Sequence, residues 1–188
     1  MKVLLVNGSP RPKGDTFRAL SVVEQSLLER GVETEWFQIG PDPVRPCIDC
    51  RRCQSDSRCV FRDDKCYELT EAILRCDGVV VGTPTYFAGP NGSLCALLDR
   101  VFYSASDNGR LMDGKPAAGV AVCWRSGTTA ALDRLNKYFT FSGMPVVGSV
   151  YWNNVLRGEE GFESDSFGIE TLKELGCRMA ELVKKLAR

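Results

Sequence analysis

The chain is expected to fold as an α/β protein, a three-layer sandwich in which an open sheet of five parallel strands, ordered 2-1-3-4-5, is covered by helices on both faces. Three observations predict this. Strand-like and helix-like segments alternate five times along 188 residues, as a parallel sheet requires, because each crossover between parallel strands is carried by a helix. The strands read as short unbroken apolar runs, GVVVG at residues 78–82 being one, and that pattern suits burial on both faces. Right-handed crossovers leave few strand orders, of which 2-1-3-4-5, with its ligand crevice beyond the carboxyl ends of the strands, is the economical one. The length fits a single domain over residues 1–188, interrupted by a cysteine-rich loop at 40–64.

The first strand, residues 2–6, is a Val- and Leu-rich run bounded by Asn7 and Gly8, and helical periodicity takes over from Thr16, with Phe17, Leu20, Val23, Leu27 and Leu28 on one face. Between them, Gly8 to Thr16 combines glycines, hydroxyls and the positive charges of Arg11 and Lys13 at a helix N-terminus, where main-chain N–H groups converge on an anion. It contains no G-x-G-x-x-G, and Lys13 precedes Gly14, so neither a dinucleotide fingerprint nor a Walker loop is present. A hydroxyl-rich phosphate cradle and an ordinary capped turn both remain compatible with this loop.

Gly31 is a stop for the first helix, and residues 32–39, VETEWFQI, alternate as a second strand. Residues 40–64 then break the rhythm with three prolines, four cysteines and five arginines, and a connection of about 25 residues is long enough to point to function. A helix is expected over 67–75, the third strand over 78–82, and a helix over 94–103 with Leu94, Leu97, Leu98, Val101 and Phe102 on its apolar side. The fourth strand is expected at 116–124, followed by a helix at 130–141 that stops at Gly143-Met144-Pro145. A fifth strand at 146–152, a polar loop at 153–165 and an amphipathic helix at 169–186 complete the chain. The loops after strands one, three and four, and the cysteine loop after strand two, would therefore share one edge of the sheet.

Acidic and basic residues balance at 24 each, so no global charge favours nucleic acid or an anionic membrane. The chain enters a strand without a basic-then-apolar leader and has no apolar run near the roughly 20 residues that span a bilayer, so a soluble, cytoplasmic protein is expected. Histidine is absent, which removes Ser-His-Asp and Cys-His machinery and the commonest transition-metal ligand. Chemistry must then rest on thiolates, on carboxylate, Lys or Tyr groups, or on a cofactor such as a flavin, and no catalytic side-chain acid or base is assigned. Nine cysteines cannot all pair within one molecule.

Gly8-Ser9-Pro10-Arg11 with Asp15-Thr16, then Thr83-Pro84-Thr85-Tyr86, Leu98-Asp99-Arg100 and Gly143-Met144-Pro145 occur in a familiar order. In these motifs the chain resembles the flavodoxin-like NAD(P)H-dependent FMN reductase family, in particular its iron-sulfur flavoprotein branch, over nearly its whole length. The resemblance implies that Ser9, Arg11, Lys13, Gly14, Asp15 and Thr16 hold the FMN phosphate, that Pro84, Thr85, Tyr86 and Phe87 lie along the isoalloxazine ring, and that Arg125, Ser126 and Gly127 flank it. For Tyr86 and Phe87 the alternative is packing at a strand end, and for the segment after strand four it is a helix cap. It also implies NAD(P)H or ferredoxin as electron donor, a small-molecule acceptor, and a homo-dimer or homo-tetramer.

Cys47-x2-Cys50-x2-Cys53-x5-Cys59 suits a cuboidal 4Fe-4S cluster, because a tight loop presents several thiolates to neighbouring irons. Zinc is the runner-up, and retention of the cysteines without any cluster, ahead of Asp63-Asp64, is a third possibility. Cys66, Cys76, Cys95, Cys123 and Cys177 fall in helix or strand patterns and read as small core residues. The arginines of the loop read as a solvated face, the alternative being attraction of a nucleotide phosphate or of a reduced cluster's negative charge. Two functions compete: an FMN-dependent oxidoreductase, and a flavodoxin-like electron carrier without its own substrate.

Overall fold

The computed structural model describes residues 1–106 and 110–186. Its elements in chain order are β1 (Lys2–Asn7), α1 (Asp15–Glu29), β2 (Glu33–Gln38), α2 (Cys66–Arg75), β3 (Gly78–Tyr86), β4 (Gly89–Pro90), α3 (Gly92–Ser106), β5 (Ala117–Cys123), α4 (Thr128–Phe141), β6 (Asn154–Leu156) and α5 (Ser166–Leu186). The parallel path runs β2-β1-β3-β5-β6, and the two-residue β4 pairs only with β3, antiparallel. With β4 set aside, this is the flavodoxin-like order expected from the alternation of strands and helices.

Alternate residues of the central strands feed two cores, as the period of two demands. Val3, Leu5, Val80, Ala118 and Val120 pack under α1 and α5, whereas Leu4, Val6, Val79 and Val81 pack under α2, α3 and part of α4. On the first face α1 and α5 pack closely at Gly176, where an added Cβ would lie 2.7 Å from the Val23 carbonyl oxygen. Gly176→Ala is therefore expected to cost about 1 to 3 kcal/mol by forcing the two helices apart, read as a lower denaturation midpoint with an unchanged m-value.

Two expectations are corrected. The third strand does not stop at Gly82: it pairs with β5 as far as Pro84 and turns back through Phe87 and Ala88 into β4. The fifth strand is not residues 146–152. Val146 makes a single bridge to Ala117, the chain then leaves the sheet, and pairing resumes at Asn154 opposite Ala121. The Ser149 hydroxyl donates to the Tyr151 carbonyl at 2.8 Å, which stabilises the excursion, and Val150, Tyr151 and Trp152 stand exposed on it. On an edge strand such a detour leaves no interior ladder unpaired. Among the described residues no helix is long and apolar enough to cross a membrane.

Candidate functional site

The loop after β1 is held from beneath. Asn7, fully buried at the end of β1, accepts the Ser9 N–H at 3.1 Å and donates to Gln38 Oε1 at 2.6 Å and to the Arg11 and Pro12 carbonyls at 3.4 Å. Gln38, from β2, in turn donates to the Ser9 carbonyl at 2.6 Å. The Ser9 hydroxyl accepts the Arg11 N–H at 3.1 Å, which leaves its own O–H as a donor. Gly14 is the N-cap of α1 and brings no capping side chain, so the first N–H groups of the helix stay available to an anion.

These residues form one end of an open groove of about 480 Å³, lined by Ser9, Arg11, Lys13, Gly14, Asp15 and Thr16 together with Pro84, Thr85, Tyr86, Val122, Cys123, Trp124 and Arg157. One end is cationic and rich in donors, and the ends of β3 and β5 bring the aromatic rings of Tyr86 and Trp124. The Thr85 Oγ1 is buried without a hydrogen-bond partner, a polar atom waiting for a ligand. Burial pushes the Cys123 thiol up, against the pull of the Arg125 backbone N–H, and so works against a thiolate at this position.

The expected residues therefore fall into two groups. Ser9 to Thr16 and Pro84 to Tyr86 come together as read from the sequence. Phe87, Arg125, Ser126 and Gly127 do not line the groove. Phe87 stands fully exposed at the tip of the β3–β4 hairpin, where it and Ala88 have φ values of 50° and 59°. Positive φ at both central residues is what a two-residue hairpin of type I′ demands, so this strain is set by the turn. Arg125 and Ser126 are exposed. Gly127, at φ 93°, packs against that hairpin, with only 2.8 Å between an added Cβ and Ala88 Cα. Trp124 and Arg157 were missed. Trp124 lies one residue before the expected segment, and Arg157 arrives from beyond β6, its Nε 3.1 Å from Asp15. Asp15 also pairs with Arg18 at 3.2 Å, so its charge is offset beside the anion end of the groove.

The four loop cysteines come together as well. Cys47, Cys50, Cys53 and Cys59 all line one small cavity of about 20 Å³ against α3, with Arg51, Phe61, Arg100 and Tyr103 among its other walls. Asp49 and Arg51, on either side of Cys50, have φ values of 50° and 57°, and this local left-handed geometry curls the loop around the thiols. The donor set suits a thiolate-bound cluster in kind and number, though among the described residues no group of three ligating side chains is drawn close enough to hold a single metal ion. The cavity and the groove share no lining residue within the chain.

Residues 1–155 match the model of the NADPH-dependent FMN reductases. The chain belongs to this family. Within its sequence relatives it is similar to iron-sulfur flavoprotein MJ1083 of Methanocaldococcus jannaschii, at 29% identity over 100% of both chains. An iron-sulfur flavoprotein of Methanosarcina thermophila is 28% identical over 98% of each. Among solved structures, RosB with a bound 8-demethyl-8-formylriboflavin-5'-phosphate superposes with a TM-score of 0.79 at 16% identity, covering 100% of this chain and 80% of RosB. For an FMN reductase, a groove with a donor-rich helix N-terminus at one end and aromatic strand ends at the other matches the shape of a ligand with a phosphate tail and a flat ring.

Proposed function

We propose that this chain is an FMN-dependent oxidoreductase that takes electrons from a nicotinamide dinucleotide and passes them to a small acceptor or redox partner. The observation that carries the proposal is the groove itself, with an uncapped helix N-terminus and Arg11 and Lys13 at one end, and Tyr86, Trp124 and the unpartnered Thr85 Oγ1 at the other. Ser9, Arg11, Lys13, Gly14, Asp15 and Thr16 would hold the phosphate, with Asp15 acting through the N-terminus of α1 and its pairs to Arg18 and Arg157. Pro84, Thr85 and Tyr86 would lie along the ring, Thr85 donating its hydroxyl proton to a ring heteroatom and Trp124 excluding water. When bound, FMN supplies the chemistry: it accepts two electrons together and releases them singly. No side chain in the groove needs to supply a catalytic proton, which fits a chain without histidine.

Cys47, Cys50, Cys53 and Cys59 are proposed to ligate a 4Fe-4S cluster, supported by their common cavity. With the cluster, one-electron traffic becomes available and ferredoxin joins NAD(P)H as a candidate donor. A homo-dimer or homo-tetramer is proposed as the working assembly.

An absorbance spectrum of anaerobically purified protein, with iron and sulfide analysis, should show flavin and cluster together. Protein with FMN and turnover but no iron after anaerobic reconstitution would reduce the cysteines to a relic. Consumption of NADH or NADPH with a quinone acceptor tests the oxidoreductase reading, and the absence of turnover with either nucleotide would favour a plain electron carrier. Thr16→Ala is expected to weaken FMN binding by about 1 to 2 kcal/mol through loss of a hydrogen bond to the phosphate. Unchanged affinity in both Thr16→Ala and Ser9→Ala would remove the phosphate from this loop.

A further inference from the structure

Arg100 lies on α3 with its side chain only 1% exposed, yet its guanidinium does not face the sheet. It points into the cysteine loop. Nη1 donates to the Arg45 carbonyl at 3.0 Å and to Asp64, Nη2 donates to Asp64 at 3.0 Å and to the Phe61 carbonyl at 3.5 Å, and Nε donates to Cys59 Sγ at 3.3 Å. Asp64 thus grips the guanidinium end-on through both Nη atoms, and the Nε edge is left for the sulfur. A neutral thiol is a weak acceptor and gives such a bond little value. A thiolate makes it charge-assisted, and hydrogen bonds to ligand sulfurs are among the levers that set the potential of an iron-sulfur site.

We propose that Arg100 is a positioning residue for the cluster: it orients Cys59 as a ligand and raises the cluster's reduction potential through its Nε–H···Sγ bond. The proposal rests on the reading of the four cysteines as ligands. The argument concerns orientation as well as charge. Asp64 neutralises the guanidinium overall, but it sits on the far edge, so the positive end of the pair faces the sulfur. Charge added to the cluster on reduction is spread onto its thiolates, and a donor aimed at one of them favours the reduced state. Anchoring alone would need only the Nη contacts, which already tie the backbone at Arg45 and Phe61 and the Asp64 side chain to α3.

The test uses the full chain, reconstituted anaerobically with iron and sulfide and labelled with guanidino-15N arginine. Electron spin-echo modulation of the reduced cluster should show a 15N coupling. It should persist in Arg51→Lys, the other arginine of the cavity wall, and vanish in Arg100→Lys. The cluster potential in Arg100→Lys should shift to lower values, while the flavin potential stays where it was. A loaded wild type without the coupling overturns the proposal alone, as does a loaded Arg100→Lys with an unchanged potential. If Arg100→Lys fails to load, the Arg51→Lys result still decides, since loss of the coupling there assigns it to the wrong arginine. Wild type that takes up no iron overturns the ligand reading and this proposal with it.

Discussion

Arg100→Ala is expected to destabilise the protein by about 3 to 5 kcal/mol, because breaking a buried ion pair leaves the remaining charge without compensation. Arg100 and Asp64 side chains are only 1% and 10% exposed, and the pair closes a loop that has little other core. The cysteine loop should detach from α3 first, seen as early proteolysis between α2 and β2 ahead of global unfolding. A pH series separates the charge from the packing. Burial pushes Asp64 up, but the Arg100 guanidinium and the Cys66 N–H, 3.0 Å away, outweigh it and hold the carboxyl below the usual range. A carboxyl depressed on folding stabilises fully above its unfolded value of about 3.9, and that share is lost as pH falls through the folded value. The stability difference between wild type and Asp64→Asn, measured by urea denaturation with reductant and chelator present, should therefore shrink as the pH drops below about 4. A difference that stays constant into that range would mean the carboxylate charge contributes nothing.

Gly14→Asp is expected to weaken FMN binding by on the order of 100-fold, about 2.7 kcal/mol, without loss of apoprotein stability. Gly14 sits at φ −81° and ψ −175°, extended backbone open to any residue, and an added Cβ would lie 3.3 Å from Arg11 Cβ, a tight contact that the exposed loop at Arg11 must relieve by a shift of a few tenths of an ångström. Aspartate is a good N-cap where glycine brings no side chain, so the helix itself should gain a few tenths of a kcal/mol. The same carboxylate would occupy the N–H groups proposed for the phosphate and repel its charge. Opposite signs in the two measurements, a steady or raised denaturation midpoint and a lost flavin titration, would be hard to produce by misfolding. Equal FMN affinity in Gly14→Asp and wild type would place the phosphate elsewhere.

The cysteines lie between these two sites in kind. Their spacing is legible in the chain because ligand loops are local, and the structure gathers all four round one cavity. What holds them there is not local. Arg100 is about 40 residues from the nearest of them, and although Leu98-Asp99-Arg100 is one of the motifs of the resemblance, nothing in its neighbourhood along the chain points to the cysteines.

The layer order, the glycine- and hydroxyl-rich loop between the first strand and the first helix, and the spacing of the cysteines are legible in the chain, since hydrophobic period, turn chemistry and ligand spacing are all properties of neighbouring residues. The sequence also put Ser9 to Thr16 and Pro84 to Tyr86 on one edge, because a parallel sheet delivers every strand's carboxyl end to the same side. It takes the folded chain to show that Asn7 and Gln38 brace the loop from two strands, that Trp124 and not Arg125 lines the groove, that Arg157 pairs with Asp15, and that the edge strand begins at Asn154. Each of these joins residues distant in the chain, or turns on one residue of register, and neither leaves a periodic trace: the energy that selects them comes from burial and pairing across elements, which exists only once the sheet has formed.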